Sequence, residues 1–133
     1  MFNKKNKQPP ILSLIAAGTE IQGNLKFSDG LRIDGHLVGD IEAAADGPSI
    51  LVISETASVT GAIRADHVIV NGKVLGPIHS RTLLEVQPKA HIVGDVNYKG
   101  LEMHLGAVIH GQLVSILAEE DIKPTLKLAA NNA

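Results

Sequence analysis

Residues 51–63 read LVISETASVTGAI, and the chain repeats this pattern as LEVQPKAHIVGDV at 84–96 and as LEMHLGAVIHGQL at 101–113. Aligned without gaps, the three copies share a leucine, an aliphatic residue, an alanine, a valine or isoleucine, a glycine and a closing aliphatic residue. Aliphatic residues at alternate positions are typical of a β-strand. An internal repeat of this kind decides the architecture of the whole chain.

The glycine of the repeat recurs along most of the chain, at positions 23, 39, 61, 76, 94 and 111. Successive glycines are 16, 22, 15, 18 and 17 residues apart, and the long step contains an insertion at 43–49, AAADGPS, with turn-forming Asp-Gly-Pro. A second column of aliphatic residues advances by a similar step: Leu31, Leu51, Val68, Leu84 and Leu101. Helical repeats need more than about 30 residues, so a repeat of about 17 predicts a β-solenoid.

The sequence therefore predicts an all-β protein, a parallel β-helix of about six short coils over residues 15–117. The repeated glycines are expected at corners of the coils, where the backbone is strained or closely approached. The repeated alanines 57, 90 and 107 are expected to point inward and to stack as a ladder of small side chains.

One alternative fold has to be considered. Asp34-Gly35 and Asn71-Gly72 are β-hairpin signals and could instead build an antiparallel sandwich. Both dipeptides occupy the same place in matched repeats, as the corners of successive coils would. This equivalence favours the solenoid.

The two termini lack the repeat. Residues 1–14 begin MFNKKNKQPP and are predicted to form a flexible arm, and residues 118–133 a disordered tail. The arm joins an apolar tip to basic residues, which is what a weak anchor at an anionic membrane surface requires. The residues concerned are Met1, Phe2, Lys4, Lys5 and Lys7. An ordinary solvated N-terminus is the alternative.

Composition narrows the classes of function. With two Phe, one Tyr, no Trp and no Cys, the core must be aliphatic, and disulfides and thiolate metal sites are excluded. The absence of Cys fits a reducing cytoplasm. The longest apolar run, residues 11–17, is too short for a membrane-spanning helix. Outside the first ten residues the chain has nine basic residues against fourteen acidic ones, so nucleic acid is not expected as a partner.

The titratable residues do not predict a catalytic site. The six histidines fall in different columns of the repeat and are expected to be outward and solvated: His36, His67, His79, His91, His104 and His110. Asp40, Asp66 and Asp95 lie at turns or outward positions and are not paired for acid–base work. No glycine-rich nucleotide loop precedes a helix. The sequence therefore predicts no enzyme, no metal and no cofactor.

The ends of the solenoid are the more informative surfaces. Terminal coils carry unpaired backbone edges and an open section of the core, and most solenoids cover both. Neither end of this chain carries a recognisable cap, which predicts end-to-end self-assembly into a filament that needs no nucleotide. The residues predicted at the polymerisation interface are Ile15, Ile21, Leu25, Ile109, Leu113, Val114, Ile116 and Leu117.

A short, cysteine-free aliphatic β-solenoid, preceded by Met-Phe-Asn-Lys-Lys at 1–5 and followed by a proline-bearing tail, resembles the bactofilins, polymer-forming cytoskeletal proteins of bacteria. The resemblance covers residues 15–117 by repeat and residues 1–5 by motif. It implies a right-handed β-helix of triangular section and filaments held by hydrophobic contacts between like ends. It also implies attachment to the inner membrane face through Met1, Phe2, Lys4 and Lys5, and a scaffolding role that localises cell-wall or cell-shape machinery.

This chain departs from the family at one place. Bactofilins often carry a Phe in the final coil at the polymer contact, and this chain has none there. The resemblance therefore implies that Leu113, Val114, Ile116 and Leu117 make this contact instead.

The alternative function is that of a left-handed β-helix enzyme, either a hexapeptide-repeat acyltransferase or a γ-type carbonic anhydrase. Some six-residue echoes support it, for example Ile21, Phe27, Ile33 and Gly39. Steps of 16 and 17 residues break the strict period of such enzymes, and no projecting loop is long enough to build a cofactor site. The scattered histidines also argue against it.

Overall fold

The computed structural model describes residues 8–116, and every regular element in that range is a β-strand. The strands are β1 (Ile11–Ile15), β2 (Glu20–Gln22), β3 (Leu25–Phe27), β4 (Gly30–Ile33), β5 (His36–Val38), β6 (Ile41–Ala43), β7 (Ile50–Ile53), β8 (Ser58–Thr60), β9 (Ile63–Val70), β10 (Lys73–Leu75), β11 (Ile78–Val86), β12 (His91–Val93), β13 (Val96–Met103), β14 (Val108–His110) and β15 (Leu113–Ser115). Their pairings are all parallel, which excludes the antiparallel sandwich.

The strands form six coils, each with three strand segments, as the repeat predicts. Face A contains β1, β4, β7 and the second halves of β9, β11 and β13. Face B contains β2, β5, β8, β10, β12 and β14. Face C contains β3, β6, the first halves of β9, β11 and β13, and β15. The three long strands turn the corner from face C into face A of the next coil.

The core is a set of aliphatic columns that run along the solenoid. The predicted column is confirmed, since Leu51 pairs with Leu31 and Val68, and Leu84 pairs with Val68 and Leu101. Similar columns run through face B, with Leu37, Val59, Val74 and Ile92, and through face C, with Ile41, Ile63, Ile78 and Val96. These side chains are buried, except for Leu101 in the last coil, which is partly buried. Their transfer from water is the main stabilising term of the fold.

The glycine column lies at the corner between faces B and C. Each of its glycines has a positive φ, for example 149° at Gly61, which a side chain disfavours. A Cβ on Gly61 would also collide with the carbonyl oxygen of Gly39 in the preceding coil. The amide of Gly61 donates to the carbonyl of Leu75 in the next coil at 2.9 Å. Glycine is therefore required both by conformation and by the close stacking of the coils.

The corner between faces A and B takes two forms. In coils 2 and 4 it has two residues, Asp34-Gly35 and Asn71-Gly72, as predicted for a corner. In coils 3, 5 and 6 it has four residues and ends on Ala57, Ala90 and Ala107, the predicted inward ladder, of which the first two are buried and the third packs against the core. A Cβ on Gly72 would collide with the carbonyl of Ser54, which belongs to the four-residue corner below it.

Two boundaries differ from the prediction. Residues 11–14, assigned to the arm, belong to β1, because Ile11–Ile15 pairs with β4 and completes the first coil. The insertion occupies residues 44–49, since Ala43 is a buried residue of β6. The insertion leaves face C at that point and returns to face A at Ile50.

Candidate assembly ends

The inward columns of the solenoid are open at coil 6. On face A, Met103 continues the column of Val86, and the exposed fraction rises from 0% at Val86 to 46% at Met103. On face C, Leu113 continues the column of Val96 and is 49% exposed, whereas Val96 is 0% exposed. Within residues 8–116, side chains that a further coil would bury therefore face solvent.

The backbone of coil 6 has one free edge in the described chain. Strands β14 and β15 are the last strands of their sheets and pair only with β12 and β13. In coil 5, the amide of Gly94 donates to the carbonyl of His110 in coil 6 at 2.8 Å. The amide of Val96 likewise donates to the carbonyl of Gln112 at 2.9 Å. The equivalent amides of coil 6 belong to Gly111 and Leu113, and residues 8–116 supply no seventh coil to accept from them.

Coil 6 is also nearly free of charge. Residues 100–116 contain one carboxylate, Glu102, and no Lys or Arg. Leu105, in the four-residue corner of this coil, is 97% exposed. An apolar end with few charges can join another apolar surface without the cost of desolvating ions.

The N-terminal end presents aliphatic side chains as well. Strand β1 pairs with β4 on one side only and has an irregular register, because Ile11 faces Gly30 and Ser13 faces Leu31, so that Leu12 has no opposite residue. Leu12 is 66% exposed and Leu14 is 58% exposed. Ile15 is buried against the core instead.

The structure separates the predicted interface residues into groups. Ile15 is buried; Ile21, Leu25, Ile109 and Ile116 are partly buried; Leu113 and Val114 are exposed; Leu117 lies outside the described residues. Val114 pairs with Asn97 on the outer side of face C, whereas Leu113 lies in the inward column. The predicted membrane residues Met1, Phe2, Lys4, Lys5 and Lys7 also lie outside residues 8–116.

Among the exposed aliphatic residues at the ends that sequence reasoning missed are Leu12, Met103 and Leu105. Met103 could have been found, because it fills the inward column of the last repeat copy. Leu12 depends on the irregular register of β1, and Leu105 is a variable residue of a corner. Neither position carries a signal in the repeat.

The prediction that the histidines are solvated is wrong for His67. This side chain is buried at the corner between faces C and A, and its Nε2 lies 3.1 Å from Oε1 of Glu85. Two other histidines approach each other on face B, where the ring centroids of His91 and His110 are 5.3 Å apart. Spacing along the chain did not reveal these contacts, because they join neighbouring coils at different positions of the repeat.

Charged side chains elsewhere pair along the outside of the solenoid. Asp66 accepts from Nε of Arg81 at 2.7 Å. A hydrogen bond from Ser54, together with Arg32 at 2.9 Å, holds the pKa of the Asp34 carboxyl below its ordinary value. Their positions fit a structural role in joining coils.

One group of described side chains could hold a cation, although the sequence predicts no metal site. Donor atoms of Glu85, Glu102 and His104 all lie within 4.8 Å of one another on face A of coils 5 and 6. In the sequence, the positions of the six histidines were compared with one another. That comparison missed this group because two of the three members are carboxylates.

One of three comparisons with known proteins identifies a family for this chain. Residues 8–116 contain no helix that is long and apolar enough to cross a membrane. No curated protein and no solved structure matches the chain. The family model of the bactofilins, described as polymer-forming cytoskeletal, matches residues 13–114. This match spans most of the chain, and the protein is therefore a member of the bactofilin family.

Proposed function

We propose that this protein is a cytoskeletal scaffold whose solenoids join end to end into filaments that need no nucleotide. The open core of coil 6 is the observation that carries the proposal. Met103 and Leu113 are about half exposed, whereas the residues that precede them in their columns, Val86 and Val96, are 0% exposed. A second solenoid placed on this end would bury them and pair the free strand edge, so that hydrophobic burial and backbone hydrogen bonds both favour the contact.

The proposed interface combines predicted residues with residues that the structure adds. Leu113 and Ile109 supply inward side chains at the C-terminal end, Met103 and Leu105 extend that surface, and Leu12 marks the other end. Ile15, Ile21 and Leu25 support the N-terminal end from within the core or its margin. Val114, Ile116 and Leu117 take part at the edge of the C-terminal contact.

The N-terminal arm attaches the filament to the cytoplasmic face of the membrane. Phe2 is suited to insertion at the headgroup level, and each Lys near an anionic leaflet contributes about 1 kcal/mol. One such arm binds weakly. A filament displays many arms in a fixed array, so that their combined binding is much stronger than that of a single chain.

A filament fixed to the membrane can localise other proteins, and the proposed clients are enzymes and scaffolds of cell-wall synthesis or cell shape. In this proposal the solenoid is the polymerisation domain. Support comes from the family assignment and from the arm sequence.

Electron microscopy of the purified full chain tests the central proposal. The buffer contains a metal chelator and no nucleotide, at micromolar protein and physiological salt. We expect filaments with the width of one solenoid or of a few solenoids side by side. Only monomers under these conditions would overturn the proposal.

A further inference from the structure

A group of four polar side chains lies on the outer side of face A, where coils 5 and 6 adjoin. Glu85 and Glu102 are direct partners in the register of β11 and β13. Gln87 and His104 each follow two residues later, at the first position of a four-residue corner. The carboxylates of Glu85 and Glu102 and the imidazole of His104 converge there, because their donor atoms all lie within 4.8 Å of one another.

The pairing of Glu85 with Glu102 is electrostatically unfavourable without a cation. Like charges directly opposite each other on neighbouring strands destabilise a sheet. Among the ion pairs of residues 8–116, those of Lys and Arg involve other carboxylates, and Glu85 has only the histidine His67 as its partner. A divalent cation between the two carboxylates would remove this repulsion.

Glu85 is held in place in the manner of a metal ligand. Because an ionised carboxylate only accepts hydrogen bonds, Nε2 of the buried His67 donates to Oε1 at 3.1 Å, and Nε2 of Gln87 donates to Oε2 at 3.1 Å. Each oxygen keeps a further lone pair. Outer partners that orient a ligand in this way are usual at metal sites and strengthen binding.

We propose that Glu85, Glu102 and His104 bind a divalent transition-metal ion, with Zn²⁺ as the best fit. The three donors lie within 4.8 Å of one another, and Glu102 and His104 are exposed, so both side chains can close on an ion. Imidazole selects transition metals over Mg²⁺ and Ca²⁺, which prefer an all-oxygen shell. Three protein ligands leave the remaining position of a tetrahedral zinc site to water.

The ion would tie coil 6 to coil 5. Met103, the exposed end of the inward column on face A, lies between Glu102 and His104. A metal bound to these two ligands would therefore hold the end of β13 in place. Metal binding would therefore stabilise the terminal coil. This inference concerns the single chain and does not depend on filament formation.

Calorimetric titration of the untagged full chain with Zn²⁺ tests the proposal. We expect one ion per chain, with Mg²⁺ failing to compete. Glu102→Gln and His104→Gln should each weaken Zn²⁺ binding at least tenfold, since loss of an outer partner alone costs about 10- to 100-fold. Both side chains are exposed, so the variants should keep the native β signal in circular dichroism.

The matched control is His91→Gln, because His91 and His110 form the other close histidine pair. This variant should bind Zn²⁺ as the natural chain does. Zn²⁺ should also slow amide exchange in residues 100–110 of the natural chain and not of Glu102→Gln. Absence of saturable binding, equal affinity in both ligand variants and the natural chain, or loss of binding in His91→Gln would each overturn the site.

Discussion

The carboxylate of Asp66 accepts a hydrogen bond from the backbone amide of Ser49 at 2.9 Å, and the amide of Asp66 donates in turn to the hydroxyl of Ser49 at 3.0 Å. Ser49 is the last residue of the insertion, directly before β7. Asp66 lies one coil later, at the same corner. This reciprocal pair fixes the point at which the inserted loop rejoins the solenoid.

Replacement of Asp66 should therefore destabilise the fold. Asp66→Ala leaves the Ser49 amide and the Arg81 guanidinium without their acceptor, and we expect a loss of about 2–3 kcal/mol in the free energy of unfolding. Chemical denaturation measures the loss. Asp46→Ala, in the exposed loop, is the control and should change stability by less than about 0.5 kcal/mol. Equal stabilities of the two variants would contradict a structural role for the pair.

Substitution of Gly61 should also be costly. An alanine there must adopt a positive φ and overlaps the carbonyl of Gly39, and the two effects together cost about 2–4 kcal/mol. Gly47→Ala is the matched control, because a Cβ on Gly47 meets nothing within 4 Å. Thermal unfolding should show a large shift for Gly61→Ala and almost none for Gly47→Ala. Similar melting temperatures would argue against the stacked-glycine explanation.

Leu113→Arg should disperse the proposed filament. An unpaired charge at a dry contact costs several kcal/mol, while the exposed position lets a monomer keep its fold. Sedimentation and electron microscopy should show short or single particles with an unchanged β signal. Val38→Arg places the same charge on a half-exposed aliphatic residue of face B and should leave filaments intact. If the two variants sediment alike, the C-terminal end is not the interface.

The arm should determine membrane binding. Phe2→Ala removes the inserting ring, and Lys4→Ala combined with Lys5→Ala removes two attractive charges, so both variants should pellet less with anionic liposomes. The effect should be larger for filaments than for Leu113→Arg monomers, because many arms act together. Lys26→Ala, on face C, is the control. Pelleting that is equal to that of the natural chain would refute the anchor.

Acid should weaken the fold through His79. Burial, with added repulsion from Arg64 and Arg81, lowers the pKa of His79 below its ordinary value of 6.5. The unfolded chain therefore binds a proton at His79 more readily than the folded chain does. The contribution of neutral His79 to stability is complete above about pH 6.5, and it is lost as the pH falls from there through the lower pKa of the folded chain. Melting temperatures between pH 5 and 8 should vary less in His79→Gln. An identical pH dependence would exclude His79 as a contributor.

Much of the fold follows from the sequence because stacking repeats the same requirement in every coil. Inward aliphatic residues such as Leu51 and Leu84, and the glycines that coil stacking demands, stand out as columns when the repeats are aligned by sequence. The unequal spacings between successive glycines are harder to predict from the sequence. They arise mainly from the insertion at 44–49 and from the choice between two and four residues at the corner of faces A and B.

The candidate sites were less predictable for physical reasons. Leu113 was predicted because it belongs to an inward column, but Val114 was placed with it although alternation puts it outside. His67 and Glu85 meet through side chains of adjacent coils at different positions in the repeat, and a search by column overlooks such diagonal contacts. Glu102 and His104 become a group with Glu85 only through the register of β11 and β13.

The glycine column also has a genetic consequence. Because each glycine from Gly39 to Gly111 lies against the carbonyl of the glycine in the preceding coil, an in-frame duplication or deletion of one coil, roughly 17 residues, would keep this contact at every glycine corner. Loss or gain of a few residues would instead misplace a glycine, unless the change fell in a corner such as 44–49. The length of such a domain can therefore evolve readily only in whole coils, while its corners remain free to acquire loops.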